Sequence, residues 1–234
     1  MCRRAGATLV LALLSAVAIR TAAAQAVSSE STLVMTSGSG DIRLTPDRAV
    51  VRVGVTTIRA RAAEASMTMA TIVRAVMDSL VALGLARDSI LTSGLGVGPA
   101  YDRDGRPTSN YMATIAVDAA VRDFSRLGRV VDALLAAGAT TIDRITFESD
   151  STQAGKVRAL AAAFADARTQ AEALAAASGN RLDRLIQVST QPGDVAVYPG
   201  VQAVSQVLRV PMTPQDVHVH ASVYAKWALR AAQR

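Results

Sequence analysis

The sequence predicts an α+β protein in which antiparallel sheets carry helices packed on one face. Several segments alternate apolar with polar residues, which is the pattern of a strand whose sheet has one covered face. Three other segments place apolar residues at steps of three and four, which is the pattern of an amphipathic helix. In chain order, the predicted elements are ββαββαβαββ.

The first two predicted strands lie on either side of a turn. Leu33–Met35 begins the first strand, which continues beyond Gly38 and Gly40, and alternating valines from Val51 mark the second. The Thr-Pro-Asp sequence at 45–47 has turn chemistry, because proline fixes φ and aspartate can bond its own backbone. We therefore expect a hairpin, with the two glycines forming a bulge where the first strand bends over a helix.

Three helices are predicted from their apolar stripes. The first begins at about Ala62, and Gly84 is expected in the left-handed conformation just after it ends. The second spans about Asp123–Ala137 and the third about Thr152–Ser178. The predicted buried faces are Ala65, Met69, Ile72, Val73, Val76, Leu80 and Leu83 in the first helix, Leu127, Val130, Val131 and Leu134 in the second, and Val157, Leu160, Phe164, Ala171 and Leu174 in the third.

The remaining strands are separated by turns and by one long irregular segment. Asp104 and Gly105 supply the turn of a long hairpin before the second helix. The sequences TTIDRITF and LDRLIQVST are the next two predicted strands. Residues 191–214 carry four of the seven prolines and are expected to be irregular. The last strand is DVHVHASVYAKWAL, whose valines and alanines alternate with polar residues.

Residues 1–26 have the features of an export signal that is cleaved. Arg3 and Arg4 precede an apolar run, Ala7–Ile19, and small residues follow in TAAAQA. The run is about 13 residues long, whereas a helix needs ~20 to cross a bilayer. We therefore expect a mature domain of residues 27–234 without a transmembrane segment.

The composition of the mature domain excludes several classes of function. Removal of the signal lowers the formal charge from +6 to +3, because three of the 25 basic residues and none of the 19 acidic ones lie in it. Aromatic residues make up 3% of the chain, so the basic patch and stacking rings of a nucleic-acid surface are not expected. The single cysteine, Cys2, lies in the signal, which leaves no thiol for a disulfide, a nucleophile or a metal site.

Glycine-rich and acidic motifs do not complete a cofactor site. Gly38 and Gly40 lack the third glycine of a dinucleotide loop, and a strand rather than a helix follows them. The sequence GLGVGPAY at 94–101 fails for similar reasons. The acidic sequence DRDG at 102–105 lacks the further ligands of a calcium loop and reads as a hairpin turn. We predict no cofactor.

Four ionisable residues are the candidates for a site. His218 and His220 project from one face of the last strand and could bind zinc or copper with a third ligand from elsewhere, although their position opposite the valines favours solvent-facing or interface histidines. Glu148 and Asp150 lie where a predicted strand passes into a predicted helix. They could cap the helix or act as a general acid/base pair. A Ser-His-Asp triad would have to use one of the two histidines, and no nucleophile elbow is visible. We predict no catalytic residues and no enzymatic activity.

The ordered set of segments resembles the SIMPL domain family. The matching sequences are GSGDIRLTPDRAVVRVGV, RARAAEA, LGLARDSILTS, GPAY with NYMA, VRDFSRLGRVVDALLAAGATTIDRITF, KVRALAAAFADARTQAEALAAASG and VHVHASVYAKW. The resemblance covers about Leu33–Trp227. It implies an α+β fold, export to the periplasm and no established enzymatic activity. Because some members resemble hollow, channel-like assemblies of many subunits, it also implies a homo-oligomer.

The sequence leaves three functions open, of which the third, a hydrolase with an unrecognised site, has no motif in its favour. The first is a non-enzymatic exported protein that self-assembles and supports envelope or oxidative-stress tolerance. The alternative is a periplasmic carrier of a small ligand or metal, using the face of His218 and His220 or a groove beside the irregular segment. The expected location is the periplasm, with secretion or association with the outer membrane left open.

Overall fold

The computed structural model describes residues 32–202 and 214–232. These residues contain nine strands and three α-helices. The strands are β1 Leu33–Leu44, β2 Arg48–Arg59, β3 Ile90–Tyr101, β4 Pro107–Val121, β5 Thr141–Glu148, β6 Asn180–Ser189, β7 Val195–Tyr198, β8 Gly200–Gln202 and β9 Val217–Ala231. The helices are α1 Ala62–Ala82, α2 Leu127–Ala136 and α3 Thr152–Ala177. The predicted signal lies outside the described residues.

The strands form two antiparallel sheets, each with its own helices. Sheet A has the order β1-β9-β6, with β7 also paired to β9, and α3 packs on one of its faces. Sheet B has the order β3-β4-β2-β5-β8, and α1 and α2 pack on one of its faces. This arrangement confirms the predicted α+β class with helices on one face.

The order of elements differs from the predicted one after β6. Two short strands, β7 and β8, lie inside the segment that was expected to be irregular. The first pairs with β9 in sheet A and the second with β5 in sheet B, so the chain passes from one sheet to the other at Pro199. Such strands are too short for the alternation of side chains to reveal them. Residues 203–213 of the same segment lie outside the described part of the chain.

The predicted hairpin of β1 with β2 is wrong. β1 pairs with β9 along its whole length, from Leu33 opposite Ala228 to Leu44 opposite Val217, whereas β2 pairs with β4 and β5. The turn between the strands carries the chain from sheet A to sheet B, and the backbone N–H of Asp47 donates to the carbonyl of Glu148 at 3.0 Å. The turn residues at 45–47 are compatible with a hairpin and with a crossing between sheets. They fix a change of chain direction but do not determine which strand is paired.

The helices of sheet B bury the faces that their periodicity predicts. Ala65, Met69, Val76 and Leu80 of α1 are buried, and Ile72, Val73 and Leu83 are partly buried against the same core. All four predicted residues of α2 are buried as well. The helix α1 ends as predicted, with Gly84 at φ +82°. Although α1 is long and apolar enough to cross a bilayer by length and composition alone, its buried residues pack against sheet B.

The predicted face of α3 is partly wrong, because Ala171 is buried and Leu160 and Phe164 are partly buried as predicted, whereas Val157 and Leu174 are exposed. The packing of α3 also explains the glycines of β1. Small residues at every fourth position face sheet A, namely Gly155, Ala159, Ala163, Ala167, Ala171 and Ala175, while Val157 is 62% exposed. A Cβ atom on Gly38 would lie 2.1 Å from the carbonyl oxygen of Ala163, and one on Gly40 would lie 2.2 Å from that of Ala159. The two glycines therefore allow close helix contact. They form no bulge, since the register of β1 with β9 is unbroken.

Candidate functional site

The outer face of sheet A, turned away from α3, presents a row of polar side chains. Alternation along β9 buries Val217, Val219 and Val223 against α3 and leaves the even-numbered residues on the opposite face. The outer-face pairs of β1 and β9 are Met35 with Lys226, Ser37 with Tyr224, Ser39 with Ser222, Asp41 with His220, and Arg43 with His218. Both candidate histidines therefore lie on one open face of the sheet.

His220 is bonded through both of its ring nitrogens. Nδ1 lies 2.8 Å from Oδ1 of Asp41, which is its partner across the strands. Nε2 lies 3.3 Å from Oγ of Ser222, which follows two residues later on the same face. A neutral ring that donates from Nδ1 to the carboxylate leaves Nε2 free to accept the hydroxyl proton of serine. The three side chains thus form one hydrogen-bonded chain in the order aspartate, histidine, serine.

His218 has different surroundings, although it lies on the same face. Its partners across the strands are Arg43 on β1 and Tyr198 on β7. In the part of the chain that the structure describes, no group of three or more His, Cys, Asp or Glu side chains could hold a metal ion. The third metal ligand that the two histidines would require is therefore not supplied by these residue types within 32–202 and 214–232.

A groove of about 410 Å³ lies on the same outer face, beginning in the row next to Ser222. Its lining consists of Met35, Thr36, Ser37, Gln187, Ser189, Tyr224, Ala225 and Lys226. Met35 and Tyr224 supply apolar surface, and Lys226 has no acidic partner within 4.0 Å among the described residues. This groove has room for a small ligand, as the predicted carrier function requires. The carrier function stays a prediction.

The outer face of sheet B carries a second groove, of about 490 Å³, that is dominated by ion pairs. Nε and Nη2 of Arg52 each donate to an oxygen of Asp118 at 2.6 Å. Arg48 donates to Glu148 at 2.9 Å and also contacts Asp150. These arginines and carboxylates satisfy each other, whereas Asp88 and Arg144 of the same lining have no ion-pair partner within 4.0 Å among the described residues.

Glu148 and Asp150 are held as ion-pair acceptors rather than as an acid/base pair. Arg122 donates to Asp150 at 3.0 Å, and this hydrogen bond, together with the nearby charges of Arg122 and Arg48, lowers the pKa of the Asp150 carboxyl. A carboxyl with a lowered pKa is a poor proton donor near neutral pH. The structure brings the two acids to the junction of β5 and α3 and joins them through Arg48.

Comparison with known proteins places the chain in a family. A family model described as SIMPL, "Protein of unknown function (DUF541)", matches residues 34–227, which include most of β1 and extend into β9. The chain belongs to the SIMPL family. This membership agrees with the resemblance carried by the sequence segments, and the family description states no enzymatic activity.

Two relatives of this SIMPL chain are proteins named "26 kDa periplasmic immunogenic protein", from Brucella melitensis biotype 1 and from Brucella abortus strain S19. Each is 24% identical over 163 residues, which is 67% of this chain. The matched region spans 65% of the length of those relatives. Neither name describes an enzyme.

The sequence indicated His220 of this SIMPL chain but missed its two partners. Asp41 is 179 positions away, and the expected hairpin would have paired it with β2 instead of β9. Ser222 could have been found, because a serine two residues after a histidine on an alternating strand shares its face. Only the strand pairing brings the carboxylate to them.

Proposed function

We propose that this SIMPL-family protein is exported to the periplasm, self-assembles there and supports envelope or oxidative-stress tolerance by a non-enzymatic route, as an assembled structure. Export is supported by the signal-like residues 1–26 and by the names of the two Brucella relatives. Because residues 27–234 contain no cysteine, thiol-based removal of peroxide is not available to the mature domain. The protective role therefore rests on an assembled structure.

The edge of sheet B at β3 is the observation that carries self-assembly. Among the described strands, β3 pairs with β4 alone, and none of its twelve residues is charged. Leu91, Leu95, Val97 and Tyr101 are exposed along it. An uncharged edge with exposed apolar side chains can pair with a strand of a second copy, whose own unpaired backbone groups are satisfied in the same step. Pro99 limits the length of such pairing but adds no charge.

The other long edges of the sheets are better protected. On β1, the backbone N–H of Ser39 is occupied by Oδ2 of Asp166 from α3 at 2.9 Å. On β6, Arg181, Asp183 and Arg184 add charge, and two register shifts interrupt the pairing with β9. Charged residues and irregular register are common means of preventing contact between strand edges. The partner favoured by these differences is therefore a second β3 edge.

Size-exclusion chromatography with light scattering on residues 27–234 tests the assembly. We expect a defined oligomer that dissociates when Leu95 and Val97 are both replaced by lysine, because two ammonium groups would face each other across the paired edges. The matched control replaces Ala173 and Ala177, which are exposed on α3, by lysine and should keep the oligomer. A monomeric parent protein, or an edge variant of unchanged size, would contradict the proposal.

The stress role is tested separately in cells. A strain lacking the protein should tolerate peroxide less well than its parent, and tolerance should return with the parent sequence but not with the Leu95→Lys/Val97→Lys variant. Equal tolerance of the deletion strain and its parent would remove the stress role while leaving the assembly untouched. Full rescue by the edge variant would separate protection from assembly.

A further inference from the structure

The hydrogen-bonded chain on the outer face of sheet A has the connectivity of a nucleophile, a base and an orienting carboxylate. We propose that Ser222, His220 and Asp41 form an acyl-transfer site that hydrolyses esters of apolar acyl groups. This inference goes beyond the proposed envelope role and does not depend on it, since the assembly edge is β3 in the other sheet. It also differs from the sequence-based expectation, which offered His220 no nucleophile.

The three side chains are positioned by regular strands. His220 and Ser222 stand on β9, and Asp41 lies opposite His220 in an unbroken ladder. The backbone N–H of Ser222 donates to the carbonyl of Asp194 at 2.8 Å, which fixes the strand at the nucleophile. The side chain of His220 is 36% exposed, so part of the ring is accessible to a substrate. Groups held by strands are positioned more accurately than groups on loops.

The chemistry follows from the two distances at the imidazole. Oγ of Ser222 attacks the carbonyl carbon of the ester, and its proton passes to Nε2 of His220 across 3.3 Å. The carboxylate of Asp41 stabilises the imidazolium through Nδ1, at 2.8 Å. The ester C–O bond then breaks, Nε2 returns the proton to the departing alcohol, and the acyl group remains on Ser222. Water attacks this acyl-serine, its proton passes to Nε2 and then to Oγ, and the carboxylic acid leaves.

The adjoining groove defines the class of acyl group. Ser37 and Tyr224 form the row next to Ser222, and Met35 and Lys226 form the row beyond it. Successive rows on one face of a sheet are two residues, or about 6.8 Å, apart. The second row therefore lies about 14 Å from the nucleophile, and the groove extends that far. Met35 and Tyr224 give it an apolar surface that suits an extended acyl chain.

The oxyanion of the tetrahedral intermediate has few donors at this site. The amide of Ser222 is already bonded to Asp194, so it is not free to hold the oxyanion. Ser39, the register partner of Ser222 on the neighbouring strand, carries a hydroxyl that can donate. Because a single oxyanion donor contributes about 10²–10³ in rate, we expect turnover well below that of hydrolases with two backbone donors.

A fluorophosphonate ester, which reacts with activated serines, tests the assignment on the full mature chain. Peptide mass spectrometry should find the adduct on Ser222 and on no other serine of this face. Labelling should be lost in Ser222→Ala and in His220→Gln, and should slow at least tenfold in Asp41→Asn, whose positioning role acts through His220. The matched control is His218→Gln, which changes a histidine on the same face without a Ser or Asp contact and should label at the parent rate.

Turnover and folding complete the test. The parent protein should hydrolyse p-nitrophenyl butyrate faster than buffer alone does. The His220→Gln variant should hydrolyse it no faster than the Ser222→Ala variant. Thermal unfolding of the three variants should match the parent, which separates lost chemistry from lost structure. Absence of a Ser222 adduct, or equal labelling in parent and His220→Gln, would overturn the proposal whatever the oligomeric state.

Discussion

Sheet A and sheet B both carry helices on one face, but they hold those helices by different means. Sheet B buries large side chains such as Leu80, Leu134 and Phe147 between its strands and two helices. Each of these contributes about 1.5–3 kcal/mol by leaving water. Sheet A instead meets α3 through alanines and through Gly38 and Gly40, so that backbone approaches backbone. The sheet B interface relies on large side chains from both strands and helices, whereas the sheet A interface packs its strand side chains against a helix that contributes mainly alanine and comes into close contact.

Close contact in sheet A permits hydrogen bonds between the helix and β1. Thr36 Oγ1 donates to the carbonyl of Ala167 at 2.8 Å and accepts from Nε1 of Trp227 at 3.2 Å. Phe164 of α3 packs on the same tryptophan, with ring centroids 5.6 Å apart. The two interfaces should therefore fail differently: sheet B when atoms are removed, and sheet A when atoms are added.

Removal of a large side chain from sheet B should have the largest effect. Phe147 is fully buried and meets Phe124 edge to face, with centroids 5.7 Å apart. Phe147→Ala should lower the free energy of unfolding by about 3–5 kcal/mol, because it leaves a cavity in addition to the lost apolar burial. Denaturant unfolding measures this change. Tyr198→Ala, at an aromatic on β7 that is 59% exposed and lies off the β3 edge, is the control and should change the same free energy by less than about 0.5 kcal/mol.

Addition of atoms to sheet A should have the next largest effect. Gly40→Val places a Cβ where the carbonyl of Ala159 lies 2.2 Å away, so α3 must shift from its strand. We expect a loss of about 3 kcal/mol in the free energy of unfolding, at the upper end of overpacking costs. Gly128→Val is the control, because its Cβ meets nothing within 4 Å, its φ is not positive and it lies in α2, away from the β3 edge. Equal stability of the two variants would show that α3 does not need close contact.

The same difference explains which parts of the fold could be predicted. In α1 and α2, most large apolar residues occur on one face, with Met67 and Leu135 as exposed exceptions, so periodicity identified the buried side. In α3, alanine occurs on every side of the helix. The predicted face therefore included the larger Val157 and Leu174, which are exposed. Close packing between backbones leaves no signal in hydrophobicity, because glycine and alanine are common elsewhere too.

Prediction of the candidate site from the sequence was limited by pairing between strands that are far apart in the chain. Alternation placed His218 and His220 on the open face of the last strand, and it could have added Ser222. The carboxylate of Asp41 could not be assigned, because it depends on β1 pairing with β9. The turn residues at 45–47 favoured pairing of β1 with β2, the next strand along the chain. A single sequence carries clear signals for such local turns but none for pairing between distant strands.

The junction between the two regions should give the smallest effect. Asp150 lies between β5 of sheet B and α3 of sheet A, and the hydrogen bond from Arg122 lowers the pKa of its carboxyl. A folded-state pKa below the unfolded value contributes stability above the unfolded pKa, and that stability is lost as the pH falls through the folded pKa. Arg122→Gln should therefore raise the pKa of Asp150 and reduce stability near pH 7, with no difference from the parent in strong acid.

A carboxyl NMR titration of Asp150 in parent and variant measures this shift directly. The contribution should shrink in about 1 M salt, because the pair is exposed and the Debye length falls to about 3 Å. Arg87→Gln is the control, since Arg87 has no acidic partner within 4.0 Å in the described part of the chain. If the pKa of Asp150 stays low in Arg122→Gln, Arg48 alone holds the carboxylate, and the junction depends on β2 rather than on the end of β4.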